Sequence, residues 1–418
     1  MSFLPRLFRA RPTWLRWAGR GFWAVVDQGL FAGTNFLVSI LLARWLEPAA
    51  YGAFSVAYSV FLLLGTLHTA LWTEPMMVYG SGRFREAFVA YQRVLIGYHW
   101  RFGVVLAVGF LLAATGFGAA GQREMALSFL GLAFAAPTVL YLWLVRRGAY
   151  VLLEPRLAAY GGASYLALYL GLALLLLRAG FLNDTTAFLA MALAALLAAE
   201  GIRLLLKAGA DRAVHPEEIW DLHWGYGRWA LLAGGLSWIP GNIPYVVLPA
   251  FHGLEAAAQF KALTNLLMPV LHFNGALGQL LVPGMVRAQV QGGLGQFSKA
   301  SLAILLAFAL LYWVLLTVTG RELMGWLYGG RYVQASAWLP WLGLLPVLAA
   351  VASVMSSLLR ALERPGAVAF VYALMAGFAA TVGVGLVWVH GLRGAVQGLL
   401  LVNALGAFSF WRLAKGKG

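Results

Sequence analysis

About twelve apolar segments follow one another along this 418-residue chain, over 22–45, 51–72, 94–119, 125–145, 157–177, 187–206, 229–251, 256–282, 301–319, 338–359, 367–389 and 394–411. A hydrocarbon core of roughly 30 Å takes about 20 helical residues, and backbone exposed to lipid can satisfy its polar groups only in helices or closed barrels. Hydrophobic residues make up 62% of the chain and charged residues 11%, more apolar material than one soluble core of this size can enclose. The pattern therefore predicts an all-α polytopic membrane protein. No connection is long enough for a folded extramembrane domain; the longest polar one, 207–228, holds Asp211, Arg212, Glu217, Glu218 and Asp221. The polar stretch 91–101, with Gln92, Arg93, His99 and Arg101, reads as an interfacial lead-in to the third helix.

The formal net charge of +15 does not point to nucleic acid, because the basic residues are scattered through short gaps rather than gathered in a domain. With the N-terminus inside, 23 of the 30 Lys and Arg fall in alternate, inner gaps, which predicts a multi-pass protein with both termini in the cytoplasm. Residues 1–21, with Arg6, Arg9, Arg11, Arg16 and Arg20, lack a cleavable signal's short apolar core and read as a basic interfacial arm. The absence of cysteine excludes disulfides and thiolate chemistry, and seven dispersed histidines give no metal set, so no cofactor or metal is expected. Nothing resembles soluble catalytic machinery, and no enzyme activity is expected.

A shift near half the chain length brings similar pieces into register. Leu46-Glu47-Pro48-Ala49-Ala50 meets Leu254-Glu255-Ala256-Ala257-Ala258, and Glu154-Pro155 meets Glu363-Arg364-Pro365. Both matches fall at corresponding loops, which predicts duplication. Six helices per unit give both halves one orientation, hence a parallel repeat with substrate held between halves near the midplane. The expected division is an N-terminal bundle over 22–206, a cytoplasmic linker over 207–228 and a C-terminal bundle over 229–418.

Two polar stripes stand out. On the first helix Gln28, Asn35 and Ser39 lie within about 40° of one another, flanked by Asp27 and Thr34, a face that should meet protein or a water-filled cavity. On the eighth, Lys261, Asn265, His272 and Gln279 lie within about 40°, with Pro269 inside the span as a kink. This cationic stripe fits a cavity that receives an anionic head group such as a phosphate; interhelical polar contact, with Lys261 snorkelling outward, is the alternative. Asp27 is the candidate site for a coupling ion or proton, with a structural ion pair as the other reading. Arg44 and Glu47 flank an outer loop, where a solvated rim is the default reading and a gate at the outer mouth the other, and Glu200 is expected to pair with Arg203. Pro240, Pro244 and Pro249 predict a broken or strongly bent seventh helix.

The run Asp27-Gln28, Asn35-Phe36 and 42–54 (Leu-Ala-Arg-Trp-Leu-Glu-Pro-Ala-Ala-Tyr-Gly-Ala-Phe) resembles the start of polysaccharide-biosynthesis flippases, the O-antigen branch of the multidrug/oligosaccharidyl-lipid/polysaccharide exporter superfamily. Leu327-Tyr328-Gly329-Gly330-Arg331-Tyr332 and Gly253-Leu254-Glu255 are similar to later landmarks of that family. The resemblance implies two six-helix bundles in a MATE-like V and alternating access that moves an undecaprenyl-diphosphate-linked oligosaccharide to the outer leaflet. It implies as partners the lipid-linked oligosaccharide, membrane lipids, H+ or Na+ as candidate coupling ions, and a polysaccharide polymerase or export complex. The first-helix Arg of some relatives has no mid-helix counterpart, since Arg44 lies at the outer end. A multidrug antiporter of the same fold is the alternative, followed by a membrane glycan polymerase or ligase and a structural secretion partner.

Overall fold

The computed structural model describes residues 13–206, 214–362 and 364–416, which contain helices and no strand. Residues 1–12 of the expected basic arm and 207–213 of the expected linker lie outside the described residues. In chain order the helices are α1 (Thr13–Trp45), α2 (Pro48–His68), a π-helical turn Thr69–Thr73, α3 (Glu74–Ser81), α4 (Phe88–Ala119), α5 (Arg123–Val151), α6 (Pro155–Arg178) and α7 (Asp184–Leu205). They continue with α8 (Pro216–His252), α9 (Leu254–Asn265), α10 (Met268–Val290), α11 (Leu294–Tyr328), a 3-10 turn Val333–Trp338, α12 (Leu339–Leu342), α13 (Leu345–Ala361), α14 (Pro365–Phe378), a π-helical turn Ala379–Gly383 and α15 (Val384–Lys415).

Among the described residues nine helical stretches are long and apolar enough to cross a membrane, the last of them 50 residues long. That stretch holds two of the expected crossings, separated at Gly391 (φ 56°, ψ −128°), whose positive φ favours a residue without Cβ. His252 Nε2 donates to the Val387 carbonyl beside the break at 2.7 Å. The seventh and eighth expected segments correspond to α8 and to the α9–α10 pair. Exposed Val105, Leu112, Leu311 and Val318 lie on α4 and α11, as lipid-facing positions should.

Three local expectations change. The stretch 91–101 is part of one continuous helix, and Tyr91, Gln92 and His99 are buried in it rather than interfacial. The seventh helix begins at Pro216, well before its apolar run, because a proline at its start and Glu217 and Glu218 in the first turn suit a helix N-terminus. It then continues through Pro240, Pro244 and Pro249 without interruption. The break falls instead in the eighth segment, at Leu266–Leu267, whose N–H groups bond the Leu263 and Thr264 carbonyls.

By packing, the chain forms two compact units. One comprises Met1–Asn35, His68–Gly121 and Phe129–Ala230; the other comprises Phe36–Leu67, Gln122–Ser128 and Leu231–Gly418. In the first, Trp72, Met76, Phe88, Tyr91, Leu95 and Leu144 form an apolar core. In the second, Met285, Leu305, Val354, Leu359 and Val371 do so.

The duplicated corners are alike in backbone detail. Glu154 (φ −114°, ψ 60°) and Arg364 (φ −111°, ψ 53°) each precede the proline that opens a helix. Their N–H groups reach back five residues, to Ala149 O and Leu359 O, at 2.9 Å in both cases. Within the second unit Gly52, two residues after the other matched piece, approaches Leu254 closely: a Cβ added to Gly52 would lie 2.0 Å from the Leu254 carbonyl oxygen. Gly52→Ala is expected to cost about 1–3 kcal/mol through overpacking. Gly171→Ala, at a helical position with open space around it, should be neutral or stabilising in the same thermal melt.

Candidate functional site

In the second unit, α2, α8, α9, α10, α13, α14 and α15 enclose a cavity of about 400 Å³. Its polar wall consists of Ser55, Tyr58, Ser59, Ser237, Asn242, Tyr245, Thr264, Tyr372 and Asn403, and among the described residues its one charged group is Lys261. No described carboxylate lines it. Lys261 is 6% exposed, and its Nζ sits 5.5 Å from the ring centres of both Tyr58 and Tyr245. Two aromatic faces stabilise an ammonium without neutralising it. Tyr245 is held by a hydrogen bond to Thr264, and Trp238 Nε1 donates to the Ser59 carbonyl at 3.1 Å, tying α8 to α2 beside the cavity. A cation at the wall of a polar cavity can bind an anionic group and disfavours a second cation.

The break at Leu266–Leu267 divides the eighth-segment stripe. Lys261 lines the cavity, but Asn265 does not: it joins a buried ring of hydrogen bonds with the first two helices. Ser39 Oγ donates to Asn265 Oδ1 (3.1 Å), Asn265 Nδ2 donates to Tyr51 Oη (3.0 Å), and Tyr51 Oη stands 2.9 Å from Ser39 Oγ. When Tyr51 donates to Ser39, each hydroxyl gives and takes one bond. His272 is exposed and bonds back to Met268 O within α10 (2.7 Å), while the Gln279 side chain lies outside the described residues.

At the same end of α1, Arg331 bonds the Leu46 carbonyl and stands 3.7 Å from Glu47. The exposed Arg44 packs beside Gly329, so the two landmark loops adjoin.

Asp27, fully buried in the first unit, is engaged by Arg146 and Tyr150. Arg146 Nε donates to Oδ1 (3.0 Å), and Arg146 Nη2 and Tyr150 Oη donate to Oδ2 (2.8 and 2.6 Å). Gln28 makes a long contact to Asp27, at 3.4 Å, and Asn35 is half-buried further along α1. Glu200 pairs with Arg203 (2.6 Å), as its spacing predicts, and also accepts from Tyr141 Oη.

No family model and no curated protein matches the chain. Solved structures do. The inward-facing conformation of a multidrug resistance MATE family transporter of the MOP superfamily aligns with a TM-score of 0.79 at 14% identity, over 94% of this chain and 97% of that one. The fold is that of the MATE transporters. A structure described as the outward-facing conformation of such a MATE transporter aligns with a TM-score of 0.66 at 14% identity, over 96% and 94% of the two chains. A MOP superfamily transporter from Pyrococcus furiosus, described as having a binding pocket of reverse polarity that suggests a different function, aligns at 0.64 and 13% identity, over 96% and 92%.

Two buried histidine pairings on this MATE fold have no sequence signature. His99 Nε2 donates to Pro137 O (3.0 Å), which leaves its Nδ1 to accept from His68 Nε2–H (3.0 Å). His223 Nδ1 donates to the Leu71 carbonyl in the π turn (2.7 Å), and its Nε2 accepts from Tyr91 Oη (2.6 Å). In each case the partners are remote in sequence. Only the unusual burial cost of a histidine in an apolar helix hints at a partner.

Proposed function

We propose that this chain is an alternating-access carrier whose cargo is a lipid-linked oligosaccharide of the polyprenyl-diphosphate type, moved across the cytoplasmic membrane for surface polysaccharide synthesis. The observation that carries the reading is the Lys261 cavity, in which one caged ammonium stands among hydroxyls and amides with no described carboxylate. An ammonium matches a phosphate, hydroxyls and amides match a sugar, and the lipid tail can remain in the bilayer. Organic cations, the other cargo considered for this fold, would meet a wall of their own sign. The alternating-access part rests on the MATE fold.

Native mass spectrometry of the purified protein in nanodiscs tests the assignment. A copurifying polyprenyl-diphosphate glycan is the expected result, its mass reporting the sugar composition. Saturable binding of organic cations with no binding of added lipid-linked oligosaccharide would replace this reading with the multidrug one.

A further inference from the structure

The first unit contains a second, smaller cavity, about 150 Å³, whose polar character differs from that of the Lys261 cavity. Arg146 and Arg147, adjacent on α5, both line it, together with Gln28, Thr69, Thr73 and Tyr150. Arg146 is held in one orientation. Asp27 takes its Nε and Nη2, and the Phe31 ring lies 4.3 Å from its guanidinium carbon. Its Nη1 makes no hydrogen bond to any described residue. Arg147 is exposed, stands 5.9 Å from the Tyr150 ring, and has no carboxylate within ion-pair distance among the described residues. Asp27 cancels one of the two charges, so the cavity keeps a net charge of about +1 from two guanidinium groups. The π turn brings Thr69 and Thr73 to the same wall, in keeping with the use of such turns at functional sites.

We propose that this cavity is a second anion site, distinct from Lys261, that takes a phosphate or diphosphate group. The preset Arg146 and the unpaired Arg147 bind its oxygens, and threonine and tyrosine hydroxyls complete the shell. Arg147 lies four residues from the end of α5, at the side to which the loop charges assign the cytoplasm. A headgroup in the inner leaflet can reach that depth without its charge crossing the hydrocarbon. The same chemistry would also serve a free phosphate compound.

The test uses the full-length protein carrying Lys261→Met, which removes the cation of the other cavity, with binding followed by native mass spectrometry and calorimetry. The probes are inorganic pyrophosphate and farnesyl diphosphate. Binding of at least one probe is expected to survive Lys261→Met and to weaken at least tenfold when Arg147→Gln is added, with partial rescue by Arg147→Lys. Tighter binding of farnesyl diphosphate than of pyrophosphate identifies a lipid headgroup as the ligand; equal binding identifies a free phosphate compound. Loss of all binding on Lys261→Met, or binding indifferent to Arg147→Gln, overturns the second site. The first of these results leaves the Lys261 reading standing. Failure of that reading instead appears as equal binding to the wild-type and Lys261→Met proteins.

Discussion

Asp27→Ala is expected to destabilise the protein by about 3–5 kcal/mol, the cost typical of leaving one member of a buried ion pair uncompensated. Arg146 would keep its charge with side-chain exposure of only 9%, and Tyr150 would lose its acceptor. In a detergent melt of the full-length protein this corresponds to a fall in Tm of about 3–6 °C. Asp27→Leu combined with Arg146→Met should recover most of the loss, because an apolar pair removes the unpaired charge. If the double variant regains stability and any transport activity persists, neither Asp27 as a coupling site nor Arg146 as an anion ligand is required. Additive losses in the double-mutant cycle would show that the two side chains do not act as a pair.

Asp27 also shows how far a single chain can be read. Its position, five residues inside an apolar helix and beside a polar stripe, was enough to demand a partner, since an isolated carboxylate is too costly there. The partner lies 119 residues away, and no periodicity links helices across that distance. The same limit applies to the eighth segment. Helical spacing put Lys261, Asn265, His272 and Gln279 on one face, but that projection assumes an unbroken helix; the helix is interrupted at Leu266–Leu267, and Lys261 and Asn265 before the turn are buried whereas His272 after it is exposed. Pro269 marked the neighbourhood of the break, whereas three prolines in α8 produced none. Proline removes a donor wherever it stands; whether the helix then opens depends on packing that sequence spacing does not contain. The crossings themselves were legible because lipid imposes length and apolarity on each segment alone. The likeness of the two corners was legible because the proline that follows Glu154 and Arg364 marks backbone geometry directly.

Lys261→Glu is expected to reverse the selectivity of the large cavity, lowering affinity for farnesyl diphosphate at least tenfold at that site and admitting an organic cation such as ethidium. Tenfold corresponds to about 1.4 kcal/mol, a modest demand on a change that replaces attraction by repulsion where no other described charged residue lines the wall. Tyr58 and Tyr245 remain in place, and their faces, which now hold the ammonium, would be available to the incoming cation. Lys261→Met is the neutral reference: it should weaken the anion without recruiting the cation, so that the two effects of charge are read separately. Arg147→Gln belongs in both backgrounds, to remove any contribution from the smaller cavity. The comparison is made by equilibrium binding in detergent at low ionic strength and repeated at high salt, where a buried interaction persists better than a surface one. If Lys261→Glu binds the diphosphate as well as the parent protein and still excludes the cation, the charge at position 261 does not set the selectivity of this cavity, and the case for an anionic cargo there fails with it.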